Sequence, residues 1–360
     1  MRGPDQPLAD GGPLAHAFSV TPVSVSLLLI VLAVAGGAVL ALWWTSGRDA
    51  RVPRRPAYHP ISEDPSGEVR FVPPDGVRPG QLGTVVDESA DVVDIVATVL
   101  DLAVRGHVVI EELPRPSPYR RPDWVIRRTP ESAEGDLAPY ERVLLALLLG
   151  GPGDDRHIRR DNGTRSVAVS ALAGRFADGL RQMQDQLYAD VHAKGWFRQR
   201  PDAVRSPWTT AGGVLSLVGL VATVGLGYAG LGLVGLGVVL AGGILAWGGL
   251  VAPARTARGS ALLSQLHDLR GYLELAPGSE LPDTSRAELV ARILPYALVF
   301  GLLDRWARIF AASGRPGDPD AGLQWYDPPQ MWHRIDVPDS LDAFVTTLSG
   351  AISTSRRLRL

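Results

Sequence analysis

The chain has 360 residues, room for about two ordinary domains, with 46% apolar and 21% charged residues and a formal net charge of −2. That near-neutral balance excludes a global positive field for nucleic acid, and the lack of cysteine excludes disulfides, thiolate nucleophiles and Cys-ligated metals. A single lysine, Lys194 in Ala193-Lys194-Gly195-Trp196, stands against 35 arginines and matches no Schiff-base, pyridoxal phosphate or P-loop setting.

Residues 1–18 read as a short extracytoplasmic tail and 19–46 as a first transmembrane helix. Val23 to Trp44 is a run of 22 uncharged residues dominated by Val, Leu, Ile, Ala and Gly. About 20 such residues cross a hydrocarbon core of ~30 Å. Trp43 and Trp44 close the run where an interfacial aromatic belt sits. Ala33-Val34-Ala35 resembles a signal-peptide cleavage site. The acidic tail (Asp5, Asp10) and the apolar run beyond that site read instead as an uncleaved anchor.

Residues 47–82 read as a Pro- and Arg-rich linker, since Pro53, Pro56, Pro60, Pro65, Pro73, Pro74 and Pro79 oppose a regular helix. A folded segment, 83–205, is expected next. Ser89 and Asp91 can cap a helix over Val92–Val104, which Gly106 stops. His107–Leu113 and Asp123–Thr129 read as a strand and its return, joined by a Pro-rich turn. A helix followed at once by a hairpin is how a winged helix ends. Pro139–Leu149 reads as another helix, and Asn162-Gly163 as a turn. Val169, Leu172, Phe176, Leu180, Met183, Leu187 and Val191 then recur at spacings of three and four, the buried stripe of a long amphipathic helix.

Between Arg205 and Arg255 no charged side chain occurs. The window 206–253 is too long for one helix. Gly225, Gly227, Tyr228 and Gly230 supply a turn, which predicts a transmembrane hairpin of Thr209–Gly227 and Leu231–Leu250. Arg48, Arg51, Arg54 and Arg55 follow the first span; Lys194, Arg198, Arg200 and Arg205 precede the hairpin; Arg255 and Arg258 follow it. The positive-inside bias therefore places 47–205 and 254–360 in the cytoplasm and the N-terminus outside. In 254–360 the expected elements are an amphipathic helix Ser260–Leu275, and a helix capped by Ser285 and Glu288 that Pro295 should kink. Its uncharged run Ile293–Leu303 is too short to span and is either buried or laid on the membrane surface. An aromatic-packed loop with Trp325, Tyr326 and Trp332 follows, then a helix Ser340–Ile352 and a basic tail at Arg356, Arg357 and Arg359. The stripes Leu172–Val191 and Leu262–Leu273 are expected to pack on each other.

No motif carries chemistry. Two overlapping G-x-G-x-x-G matches, at 225–230 and 230–235, lie in the uncharged hairpin without the acid a dinucleotide site needs, so close helix approach explains them. Histidines at 16, 59, 107, 157, 192, 267 and 333 show no metal spacing. Asp87, Glu88, Asp91 and Asp94 suit a helix start. Glu111 and Glu112 point to opposite faces of a strand. Catalytic, cofactor-binding and metal-ligating residues are therefore none, no small-molecule ligand is assigned, and the spans carry no charge for an ion relay. The winged-helix shape raises a second reading, a membrane-tethered DNA-binding regulator using the wing arginines Arg115, Arg120, Arg121, Arg127 and Arg128. Asp91, Asp94 and Asp101 on the preceding helix oppose phosphate binding.

Pro73-Pro74-Asp75-Gly76 and the stretch from Asp91 to Gly106 resemble the YciQ-like family of bacterial predicted membrane proteins, as do Gly195-Trp196-Phe197, Leu294-Pro295-Tyr296-Ala297 and Leu303-Asp304-Arg305-Trp306. The resemblance covers about 70–350. It implies a helix-rich cytoplasmic module split around a transmembrane hairpin, with no known reaction and no catalytic residues. Such proteins usually carry an extracytoplasmic β-domain before the first span and often a Gly-rich tail, and neither stands in this sequence. They often sit beside LemA-type membrane proteins. The expectation is an α-helical membrane protein of three transmembrane helices with an α+β, winged-helix-like cytoplasmic domain. Its role would be a non-enzymatic scaffold of the bacterial inner membrane, with the lipid bilayer and other membrane proteins as partners.

Overall fold

The computed structural model describes residues 17–45, 58–65, 67–115, 122–130, 134–150, 159–161, 164–173, 176–198, 200–250, 255–283, 285–314 and 320–357. In chain order the elements are α1 (Pro22–Thr45), β1 (Ile61–Glu63), β2 (Val69–Phe71), α2 (Pro79–Val86), α3 (Val92–Val104), β3 (Val108–Glu112) and β4 (Trp124–Arg128). Then come α4 (Pro139–Leu149), β5 (Arg159–Asp161), β6 (Thr164–Ala168), α5 (Phe176–Ala193), α6 (Pro201–Gly227) and α7 (Gly232–Leu250). The last are α8 (Ala257–Leu275), α9 (Arg286–Val299), α10 (Leu303–Ala312), β7 (Tyr326–Asp327) and α11 (Val337–Arg357). The protein is mostly helical with two small sheets, and divides into two units: unit 1 holds 1–50 and 197–256, unit 2 holds 51–196 and 257–360.

Unit 1 is built from α1, α6 and α7. Its exterior is apolar: Leu29, Ile30 and Val34 on α1, and Leu217, Leu220 and Val221 on α6, are exposed. The inside is small instead. A side chain at Gly242 of α7 would overlap the backbone of Gly212 and Ser216, and one at Gly235 would overlap Thr223. Ser216 Oγ donates to the Val239 carbonyl across the seam at 3.1 Å. Small inside and apolar outside is the packing of helices whose solvent is lipid. Gly232 N donates to the Ala17 carbonyl at 2.8 Å and Ser19 Oγ to the Gly230 carbonyl at 2.7 Å, which ties the start of α1 to the α6–α7 turn. Leu28 and Val39 then meet Gly237 and Gly248, so α1 runs parallel to α7. A bridge between Phe197 and Arg255 closes the opposite end. Two helices carry 20-residue stretches long and apolar enough to cross a membrane, Pro22–Ala41 and Trp208–Gly227, and Gly232–Gly248 is a shorter apolar helix.

Unit 2 is organised around α3. Asp91 N donates to Asp94 Oδ2 at 2.9 Å to open the helix. At its end Gly106 (φ 79°) lets Gly106 N reach the Ala103 carbonyl and His107 N the Leu102 carbonyl. Residues 94–103 are all buried, against α2, α9, α11 and β3. The sheet order is β5-β6-β4-β3-β7, with β3 antiparallel to β4 (Ile110 opposite Ile126) and parallel to β7 (Ile110 opposite Tyr326). Trp124 and Phe344 meet edge to face at 5.7 Å, and Trp306 Nε1 donates to the Leu273 carbonyl at 2.9 Å.

Several expectations need correction. The linker 47–82 contains β1, β2 and the start of α2, because Pro79 occupies the first helical turn, where its missing N–H costs nothing. The long helix expected from Val169 starts at Phe176: residues 166–168 pair with β4, residues 164–166 with β5, and Val169–Leu172 forms a single 3-10 turn. The stripe of α5 faces α4, α2 and α11, while α8 packs on α2 and the 3-10 turn at Pro74–Gly76. Helix α9 runs unbroken through Pro295 and is buried from Ile293 to Leu298, which decides against a surface helix. The helix expected over 340–352 extends from Val337 to Arg357. The hairpin β3–β4 is a middle pair of a five-stranded sheet, not a free wing. Arg120, Arg121 and the turn at 162–163 lie outside the described residues, as do Arg48, Arg51, Arg54, Arg55 and Arg359.

Candidate functional site

The most concentrated charge in unit 2 is a cluster joining α2, α3 and α4. Glu141 is placed by its helix: Pro139 starts α4, and Glu141 reaches back to accept from Ala138 N at 2.9 Å. Its side chain is fully buried, which demands counter-charge. Arg78, at the start of α2, and Arg105, at the end of α3, both donate to it, the Arg105 bond at 2.8 Å. Arg105 also donates to Asp101 Oδ2 at 2.9 Å and to Asp136 Oδ2 at 2.9 Å, and Arg78 to Asp136 Oδ1 at 3.3 Å. The Asp136 carbonyl accepts from both guanidinium groups, at 2.7 and 3.0 Å.

The electrostatics follow from burial. Desolvation pushes Asp101 up to about 6 despite the pull of Arg105. Against the cost of its own burial, the carboxylates of Asp101 and Glu141 hold the Arg105 guanidinium still more firmly charged. The hydrogen bond from Arg105 keeps Asp136 below the usual carboxylate range. His107, with Nε2 3.3 Å from Arg105, is held below the ordinary imidazole range by burial and by Arg105 and Arg128. Every carboxylate here is occupied by an arginine, so the arrangement staples three helices. The spacing of Asp101 and Arg105, one helical turn apart, shows in the sequence. Glu141 shows only as a helix-start acid, and Arg78 and Asp136 give no signal.

Two further polar contacts organise unit 2. Asp75, at φ 50°, accepts from Trp196 Nε1 at 2.7 Å and from Arg258 Nε and Nη2 at 2.7 and 2.8 Å. One turn thus holds the residues that flank 197–256 in sequence. Glu112 is buried and accepts from Tyr326 Oη and from Ser340 Oγ, the latter at 2.8 Å, while Glu111 lies 3.8 Å from Arg127 on the other face. The two glutamates do separate as their strand requires.

Of the residues singled out earlier, Asp87, Asp91 and Asp94 gather at the α2–α3 junction. The glycines of both G-x-G-x-x-G matches lie at the α6–α7 turn and seam, with no strand beside them among the described residues. Among those residues no group of three His, Asp or Glu could hold a metal, and His16 and His157 lie outside them. The wing arginines scatter: Arg127 faces Glu111 and Asp327, and Arg115 reaches Glu112. The burial of α3 removes the exposed helix that groove reading requires.

A search of curated proteins and a search of solved structures each return no match. A family model does match, described as the C-terminal domain of a predicted membrane protein (DUF2207), over residues 68–310. That span takes in α2 to α9, most of α10 and more than half the chain. The protein therefore belongs to this DUF2207 family of predicted membrane proteins of unknown function.

Proposed function

We propose that the chain is a three-span protein of the bacterial inner membrane, N-terminus outside, that holds unit 2 in the cytoplasm as a non-enzymatic interaction module for other membrane proteins. The observation that carries this reading is the pairing of β7 with β3. Residues before and after the apolar hairpin share one sheet, so an even number of crossings must separate them. Helix α7, with 19 residues, reaches ~28 Å at 1.5 Å per residue, which suits the second crossing. In unit 1, Thr45, Pro201 and Leu250 share the end opposite the start of α1, as such a topology needs. The arginines beside those ends supply the orientation. The YciQ-like resemblance adds a LemA-type protein as the partner class.

Reporters active only in the cytoplasm or only outside it, fused at Gly47, Tyr228 and Leu360, test the topology. The expected pattern is cytoplasm, exterior, cytoplasm. Exterior activity at Leu360 with cytoplasmic activity at Gly47 would overturn it. For the module, a second membrane protein should co-purify in fixed ratio and be lost when unit 2 is unfolded. Purification of the chain alone from native membranes would count against that part.

A further inference from the structure

Unit 2 contains a cleft of about 160 Å³ between α2, α3, α8 and the end of α9. For scale, a cavity of ~150 Å³ accepts a six-carbon ring. Its surface is apolar along Leu82, Val86, Val93, Leu266 and Phe300. Its polar groups are divided by sign. Asp87 and Asp94 come from α2 and α3, and His267 and Arg270 from α8. Val299 and Phe300 are what α9 contributes.

Asp94 has the unusual position. Its residue is only 1% exposed, and Oδ2 is used to cap Asp91 N, but Oδ1 is buried with no hydrogen-bond partner among the described residues. Capping α3 needs one acceptor oxygen, which an asparagine would supply without the cost of burying an acid. The second oxygen lies against the backbone of Gly83, whose N–H favours the charged carboxylate without completing a hydrogen bond to it. Beside it α2 is bare backbone, because a side chain at Gly83 would overlap the Asp94 carboxylate. Across the cleft Arg270 is exposed and pairs with Glu274 at 2.8 Å, a surface contact of little net worth that another carboxylate can replace.

We propose that this cleft binds a small zwitterion, an ammonium and a carboxylate on a short apolar body. The ammonium is held by Asp94 Oδ1 and Asp87, the carboxylate by Arg270 and His267, and the body by Val93, Leu266 and Phe300. Burial pushes Asp94 up to about 8, helped by the neighbouring charges of Asp87 and Asp91. Binding an ammonium therefore requires Asp94 to release its proton, and affinity rises with pH until about 8 before levelling.

The test is calorimetric titration of the full-length, detergent-solubilised protein with L-leucine, n-butylamine and isovalerate as probes. Leucine should bind at least about tenfold more tightly than either half-probe. Asp94→Asn should weaken leucine about tenfold or more and abolish the pH slope. Arg270→Gln should weaken leucine and isovalerate but leave n-butylamine unchanged. Val86→Trp, which fills the cleft from its rim, should remove leucine binding with an unchanged melting temperature. Equal binding of leucine by native protein and both Asp94→Asn and Val86→Trp would overturn the proposal, as would no binding of any probe, leaving a cleft that holds water alone.

Discussion

Glu141 shows how one residue can decide a junction. It is the buried acceptor for two arginines that are themselves about three-quarters buried. Glu141→Gln leaves both guanidinium groups short of charge and should cost about 3 kcal/mol of stability, read from urea unfolding followed by tryptophan fluorescence. Asp136→Asn is the control. Its side chain is 63% exposed, so less than about 1 kcal/mol is expected. Asp94 and Asp101 give a pH signature. Both are raised above their unfolded values, to about 8 and about 6. A raised acid favours the folded state while protonated, so its contribution is full below the unfolded pKa and is lost as pH climbs through the folded one. Native protein should therefore lose up to about 1.4 kcal/mol per pH unit from Asp94 between about pH 4 and pH 8, and level off above that. Asp94→Asn should match native protein near pH 4 and be clearly the more stable at pH 8, as thermal melts across pH will report. A parallel decline in both between pH 6 and 8, above the range of Asp101, would refute the assignment.

At the scale of elements, the test is whether faces pack where their patterns point. Leu180 is buried on α5, where α4, α2 and α11 converge. Leu180→Asp places an unpaired charge in that layer and should cost more than about 3 kcal/mol, seen as loss of protease-resistant unit 2. In unit 1, Gly242→Val forces α6 and α7 apart, since the new side chain meets backbone on the facing helix. The chain has no cysteine, so a cysteine pair introduced at 216 and 239 reports the seam directly. Crosslinking should be efficient in native sequence and fall severalfold with Gly242→Val. Elements with strong local signals were legible: α3 and α4 occupy the ranges their caps and spacing predict, and β3 and β4 lie within one residue of expectation. The start of α5 was not, because a stripe with period 3.6 through Val169 and Leu172 ignored the pull of β4 on residues 166–168.

For the whole molecule, the interleaving of the two units carries the consequence. Residues 257–360 supply β7, α9 and α11, which cover β3 and α3. A chain ending at Lys194 should therefore leave α3 bare, and be degraded or insoluble. Co-expression of 257–360 should restore protease resistance, and resistance of the shorter chain alone would refute the interleaving. The sequence by itself determined the apolar windows, the hairpin turn, the principal helices and the family resemblance, because each is written in local spacing, capping and composition. Only the tertiary structure decided that α3 is buried and not a groove reader, that Arg78, Arg105 and Glu141 meet, and that Asp94 keeps an oxygen without a partner beside a cleft. Those facts depend on residues far apart in sequence whose proximity is set by which faces cover which, and no local pattern encodes that choice.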